Sequence, residues 1–230
     1  GLYVGHVKVD GATALIQQIN LSTAHWMVSL RHNWLDPFFV GLTALGYYQP
    51  MVIWAAAVAV ALLLQRNYYA TLLWLGTTLA AQGLMELAKW AFGLPRPELV
   101  VAPPLSFAYP SGHTTMILVF VGLLASFLLP GVNARRHQLI LSCSAILIML
   151  VAAARLYLTV HWLSDIIGGF LLGGLMLALF YLIVLRRPFP RIKPLPLLIA
   201  TALAWLVNIA LFAVPDFAAQ VAGYQLLPQT

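Results

Sequence analysis

The sequence predicts an all-α, polytopic membrane bundle, and three observations carry that reading. Of 230 residues, 62% are hydrophobic and 8% charged, against ~45–50% apolar and ~25% charged in soluble domains. Long runs nearly free of charge recur, each long enough to cross a bilayer as a helix. Seven of the twelve Lys and Arg residues sit in three short loops between those runs. The expected architecture is six transmembrane helices preceded by an N-terminal interfacial amphipathic helix. The same composition excludes a disordered chain.

Residues 11–34 read as the amphipathic helix. Leu15, Ile16, Ile19, Trp26, Met27 and Leu30 recur at helical spacing, with Gln17, Gln18, Asn20 and His25 between them. Such a helix is expected to lie on a membrane surface rather than cross it. Residues 37–64 are apolar but interrupted at Gly46 and Gln49-Pro50, which gives one kinked span or a short helix followed by a span. Further spans are expected over 68–91, 113–129, 139–159, 163–186 and 194–214.

Strict alternation of these spans puts Arg66, Arg135, Arg136, Arg186, Arg187, Arg191 and Lys193 on one face. Short loops rich in Arg and Lys stay cytoplasmic. The opposite face, with only Lys8 and Arg31 besides Lys89, Arg96 and Arg155, is then extracytoplasmic. A net charge of +6 without a basic stripe gives no reason to expect a nucleic-acid partner. The lone Cys143 cannot form an internal disulfide, and no Cys/His set has zinc-ligand spacing. The chain starts at Gly1, so the native start is not visible.

Most of the polar chemistry of this greasy chain falls at one depth, on the extracytoplasmic side. Lys89 ends a span, and Arg96 follows between Pro95 and Pro97. Two held cations suit a dianionic phosphate, Arg as a bidentate fork and Lys as a point charge; end-of-helix cations also snorkel to headgroups. In Pro110-Ser111-Gly112-His113, Ser111 suits an N-cap and Gly112 permits close backbone approach. The free amides of the following helix make an anion site; an ordinary capped turn has the same sequence. His161 and Asp165 are four apart at a helix start and share a face. A carboxylate on one imidazole nitrogen sets the tautomer and leaves the other nitrogen free to act as base or nucleophile; a buried pair that only locks two helices is the plainer reading. Glu86, three residues before Lys89, is placed to pair with it. Gly168, Gly169, Gly173 and Gly174 are expected to permit close helix packing, and Trp90, Tyr109, Tyr157 and Trp162 to form an aromatic belt.

Together the segments resemble the signature of the type 2 phosphatidic acid phosphatase superfamily, whose active site is shared with vanadium haloperoxidases. The pattern Lys-x6-Arg-Pro, Pro-Ser-Gly-His, Ser-Arg-x5-His-x3-Asp is met by Lys89 to Arg96-Pro97, Pro110 to His113, and Arg155 to His161 to Asp165. Ala154 stands where the family has Ser, which weakens one contact. The resemblance spans roughly 85–185 and divides the chain into an N-terminal interfacial segment, 1–36, and a membrane phosphatase domain, 37–230. It implies that His161 attacks phosphorus, Asp165 orients His161, and His113 protonates the leaving group and then activates water. It also implies that Lys89, Arg96, Ser111, Gly112 and Arg155 hold the phosphate.

The expected activity is hydrolysis of a lipid phosphate or diphosphate at the outer face of a bacterial inner membrane, with no metal or other cofactor. Undecaprenyl diphosphate is the favoured substrate, with phosphatidylglycerol phosphate or phosphatidic acid as the alternative. A lipid phosphotransferase and a non-catalytic phospholipid-binding or transport module are the competing readings. Residues 1–8 could be the tail of an upstream fused membrane domain of DedA type, as in some members of the family. Three protein cations can supply the charge stabilisation that phosphoryl transfer needs, and no carboxylate cluster suits Mg²⁺. Phosphate release should therefore be undiminished by EDTA; loss on chelation with recovery on adding Mg²⁺ would refute the metal-free reading.

Overall fold

The computed structural model describes residues 11–228. Lys8 and the expected tail at 1–8 lie outside the described residues. Nine helices are present among the described residues: α1 (Gly11–Ser29), α2 (Asp36–Ala44), α3 (Tyr48–Leu64), α4 (Tyr68–Phe92), α5 (Gly112–Leu128), α6 (Ala134–Tyr157), α7 (Leu163–Arg186), α8 (Pro194–Asn208) and α9 (Val214–Gly223). The described residues contain one isolated bridge, Val100 to Leu226, and no strand.

Local chemistry sets most of these limits. The Asn67 side chain caps α4 by accepting from the Ala70 amide at 3.3 Å, and Gly93, at φ 56°, ends it in the left-handed conformation that glycine tolerates best. The Asn133 side chain caps α6, accepting from the Arg136 amide at 2.9 Å. The 37–64 stretch is two helices bent by 45°, with Pro50 in the first turn of α3, where its missing N–H costs nothing. The last span runs past the expected residue 214. A π-turn at Ile209–Ala213 joins α8 to α9, and Pro215, which cannot donate to a preceding carbonyl, accounts for the widened turn.

The 17-residue α5 is the central helix. Its residues are buried or half-buried throughout and packed among α4, α6 and α7, as an all-round apolar helix should be. The core beside it is aromatic: Trp54, Trp74, Phe120, Phe127 and Phe180 stack edge-on or tilted on one another. On the α5–α7 seam, a Cβ at Gly169 would come within 2.8 Å of the Thr114 Cβ, and one at Gly173 within 2.8 Å of Leu118 Cδ2. At Gly168 a Cβ would overlap the Tyr109 ring, whereas Gly174 meets nothing within 4 Å. Gly169 and Gly173 are therefore in the seam, Gly168 packs on Tyr109 just ahead of α5, and Gly174 is outside it.

Outside this core the molecule is greasy. Leu72, Leu79, Leu139, Leu171, Leu185 and Leu211 are among many exposed large apolar side chains. Three segments are long and apolar enough to cross a bilayer, namely α6, α7 and the α8–α9 rod, and the bent α2–α3 pair makes a fourth. The helix α4 has 25 residues but carries Glu86 and Lys89, and α5 would measure about 25 Å at 1.5 Å per residue. In α1, which ends at Ser29 rather than 34, Leu15, Ile16, Ile19 and Trp26 face outward. Its Asn20 turns inward, donating to Ser164 Oγ at 2.9 Å and accepting from the Ser164 amide at 3.0 Å.

The three basic loops meet at one end. Asn67 donates to the Pro190 carbonyl at 3.1 Å, the Lys193 amide to Gln65 at 2.7 Å, and the Arg191 guanidinium lies against Gly131. Arg187 lies over the Tyr69 ring. The C-terminal end of α4, the start of α5, the end of α6 and the start of α7 meet at the opposite end. The seam predicts a contrast between glycines. Gly169→Ala should lose about 1–3 kcal/mol by overpacking, read as a lower melting temperature in detergent, while Gly174→Ala should stay within about 0.5 kcal/mol of the parent.

Candidate active site

One cavity of about 310 Å³ opens at that second end, and its walls include Lys89, Arg96, Gly112, His113, Arg155 and His161. Three helix ends and two loops supply them. Ser111 and Asp165 stand behind the wall, both fully buried. The Ser111 hydroxyl caps α5, accepting from the Thr114 hydroxyl at 3.1 Å and, at 3.5 Å, from the Thr114 amide. The Ser111 amide donates to the Asp165 carbonyl at 2.9 Å, so the starts of α5 and α7 are tied backbone to backbone.

His161 sits between Asp165 and Arg96. Its Nδ1 lies 3.1 Å from Asp165 Oδ2, and its Nε2 lies 2.8 Å from Arg96 Nη1. A guanidinium only donates. Nε2 is therefore the acceptor, and Nδ1 carries the proton directed at Asp165. The same carboxylate oxygen accepts from the Trp162 amide at 2.8 Å, which fixes it at the start of α7. Burial, then the charges of Arg155 and Arg96, hold the His161 imidazole well below its ordinary 6.5. The ring thus stays neutral across the neutral pH range, with its Nε2 lone pair held by the hydrogen bond from Arg96.

The cations are held by carbonyls and hydroxyls rather than by carboxylates. Lys89 Nζ donates to the Phe107 carbonyl at 2.5 Å. Arg96 donates to the Ser106 carbonyl at 2.7 Å, the Ser106 hydroxyl at 3.0 Å and the Val160 carbonyl at 2.8 Å. Burial, then Arg155, lowers the Arg96 guanidinium to about 10, which leaves it charged at neutral pH. Glu86 forms no ion pair with Lys89 and accepts from Gln82 Nε2 at 3.0 Å instead.

The rest of the setting was invisible in the motifs. Arg155 Nη1 donates to Thr43 Oγ1 at 2.6 Å and to the Tyr224 hydroxyl at 3.3 Å, while its Nε has no protein partner. The Tyr224 hydroxyl is 3.1 Å from that of Tyr47, and the Tyr47 ring stands edge-on to His113 with centroids 5.4 Å apart. The Thr43 backbone hydrogen-bonds the His113 ring, and His113 Nε2 is buried without a partner. A Cβ at Gly46 would overlap the His113 ring, so the residue read as a helix interruption is also what makes room for the imidazole. Tyr157, expected in an aromatic belt, is buried and donates to Asp36 at 3.0 Å. Asp36 in turn pairs with both arms of Arg31, which also donates to the Tyr224 carbonyl at 2.6 Å. Among the described residues no cluster of His, Cys, Asp or Glu is arranged to hold a metal ion.

If neutral His161 is the attacking group, the sign of its shift sets the pH response. The acid limb of kcat/KM, which reports the free enzyme, should lie below pH 6.5. Arg96→Gln removes a nearby cation, so protonation becomes easier and the limb should move to higher pH in the residual activity. A limb that stays in place would disconnect His161 from that limb.

Comparison with known proteins comes down on one family. Residues 70–189 match the PAP2 superfamily. A relative from Bacillus subtilis (strain 168), phosphatidylglycerophosphatase B, is 25% identical over 174 residues, covering 74% of this chain and 84% of that protein. A crystal structure of a transmembrane PAP2-type phosphatidylglycerolphosphate phosphatase from Bacillus subtilis superposes with a TM-score of 0.69 at 23% identity, over 82% of this chain and 91% of that one.

Proposed function

From the premise that this chain belongs to the PAP2 superfamily and is an integral-membrane lipid phosphatase, we propose that it hydrolyses a lipid phosphate monoester through a phosphohistidine at His161. The observation that carries this is the single cavity lined by Lys89, Arg96, Gly112, His113, Arg155 and His161. Three cations and the α5 amides suit the oxygens of a phosphoryl group. The bound phosphoryl dianion draws the Arg96 hydrogen bond off His161 Nε2 and favours a protonated His113. Nε2 then attacks phosphorus as the bond to the leaving oxygen breaks, and His113 gives that oxygen its proton. Water then attacks phosphorus, His113 takes its proton, and the N–P bond pair returns to Nε2. Asp165 holds the Nδ1–H throughout and stabilises the charge that develops on the ring.

Sequence reasoning favoured undecaprenyl diphosphate. The name of the Bacillus relative supports the alternative instead, and phosphatidylglycerol phosphate is the substrate proposed here. The tails would stay in the bilayer while the headgroup enters the cavity. The proposed topology has six crossings, with α4 and the short α5 crossing inside the bundle and α1 lying at the interface. The end that gathers Arg66, Arg135, Arg136, Arg186, Arg187, Arg191 and Lys193 would face the cytoplasm, and the cavity would open outside the inner membrane.

Phosphate release from phosphatidylglycerol phosphate, phosphatidic acid and undecaprenyl diphosphate tests this with purified protein in detergent. The first should give the highest kcat/KM, and His161→Ala should abolish release from all three. Transfer of phosphate to a lipid hydroxyl in place of release would identify a phosphotransferase. Function retained by His161→Ala would identify a binding or transport module.

A further inference from the structure

The cavity has one carboxylate on its wall, and it is not a member of the motif set. Glu86 lies among the cavity-lining residues together with Gln82 and Lys89. Asp165, the buried acid of the site, stands behind the wall. On α4 these three positions are separated by three and four residues, so they share one face. Glu86 is about 4.5 Å and Gln82 about 10.5 Å along the helix axis from Lys89. A polar track thus leads away from the phosphate cations, down a helix whose neighbours Leu79, Leu84 and Leu87 are exposed and apolar.

A carboxylate beside an anion site repels the anion and has to be explained. Glu86 gives no salt bridge to Lys89, and its one protein hydrogen bond is accepted from Gln82. An ionised carboxylate accepts and never donates. It leaves room for a ligand donor, and it disfavours a second phosphate placed directly next to the first. Gln82 spends one amide hydrogen on Glu86 and keeps another for an acceptor further out.

We infer that Glu86 and Gln82 form a headgroup subsite that selects lipid phosphates whose phosphoryl group is carried on a hydroxylated linker. This rests on the phosphatase reading and specifies the substrate class for the same site. The phosphoryl group lies at Lys89, the linker hydroxyl donates to Glu86, and a phosphodiester beyond it receives the free N–H of Gln82. A prenyl diphosphate offers no hydroxyl there and sets a negative phosphate against the carboxylate.

The test is a coupling measurement between one ligand group and one side chain. Phosphate release is followed in detergent micelles for phosphatidylglycerol phosphate and for an analogue with 1,3-propanediol in place of the linking glycerol. The parent protein should favour the glycerol-linked substrate by about tenfold in kcat/KM, the scale of one hydrogen bond to a charged group. Glu86→Ala should bring that ratio to within about twofold of one. Both substrates are compared on one preparation, so the ratio does not depend on how much protein is folded. A parent ratio near one, or a ratio that Glu86→Ala leaves intact, overturns the subsite. Release from farnesyl diphosphate but from neither glycerol nor propanediol substrate overturns it as well. Release from none of the three would instead fail the phosphatase reading, and the subsite with it.

Discussion

Mutual repulsion among three cations is the constraint on which the site depends. Lys89, Arg96 and Arg155 face one small hollow in an apolar protein, and the charges of Arg155 and Arg96 help hold His161 neutral. Their protein partners are mainly dipoles: the carbonyls of Ser106, Phe107 and Val160, and the hydroxyls of Thr43 and Tyr224. Dipoles fix position without cancelling charge, so the positive potential stays available to an incoming dianion. Preorganisation of this kind stabilises charge without solvent reorganisation at the moment of reaction.

The packing exists to hold those positions. The glycines of α7 bring its start against α5 closely enough for the Ser111 amide to reach the Asp165 carbonyl. That bond sets the orienting carboxylate and the anion-binding helix start in one rigid unit. The far end of the same helices gathers the basic loops, so the two ends of the bundle differ in both charge and chemistry. The outward apolar face of α1, with its Asn20 turned onto Ser164, inverts the arrangement of a surface helix on a soluble protein. It is the arrangement a lipid surround favours.

What the sequence made legible was local. Apolar runs, one N-cap and short basic loops located α4, α5 and α7 to within a residue and α6 less closely, and fixed motif spacing brought six named residues to one cavity. What it hid was long-range. Nothing near Arg155 announces Tyr224, 69 residues away, or Thr43, 112 away. Gly46 reads as a helix breaker because nothing in the chain says that an imidazole fills the space beside it. Tyr157 sits among interface-loving residues and is nonetheless buried, because Asp36 and the His32 amide supply partners for its hydroxyl. Glu86 is the instructive miss, since spacing alone pairs it with Lys89. Only the folded chain shows that its carboxylate turns to Gln82 and the ammonium to the Phe107 carbonyl.

The clasp at Tyr224 also has a bearing on biosynthesis. Its hydroxyl meets Arg155 and its carbonyl meets Arg31, so one residue late in the chain joins groups that were translated far earlier. During translation Arg155 lacks this contact until Tyr224 has emerged from the ribosome. A nascent chain can insert its helices and carry every signature residue while this guanidinium still lacks one of its anchors. Maturation of the pocket is thereby coupled to translation well beyond the signature.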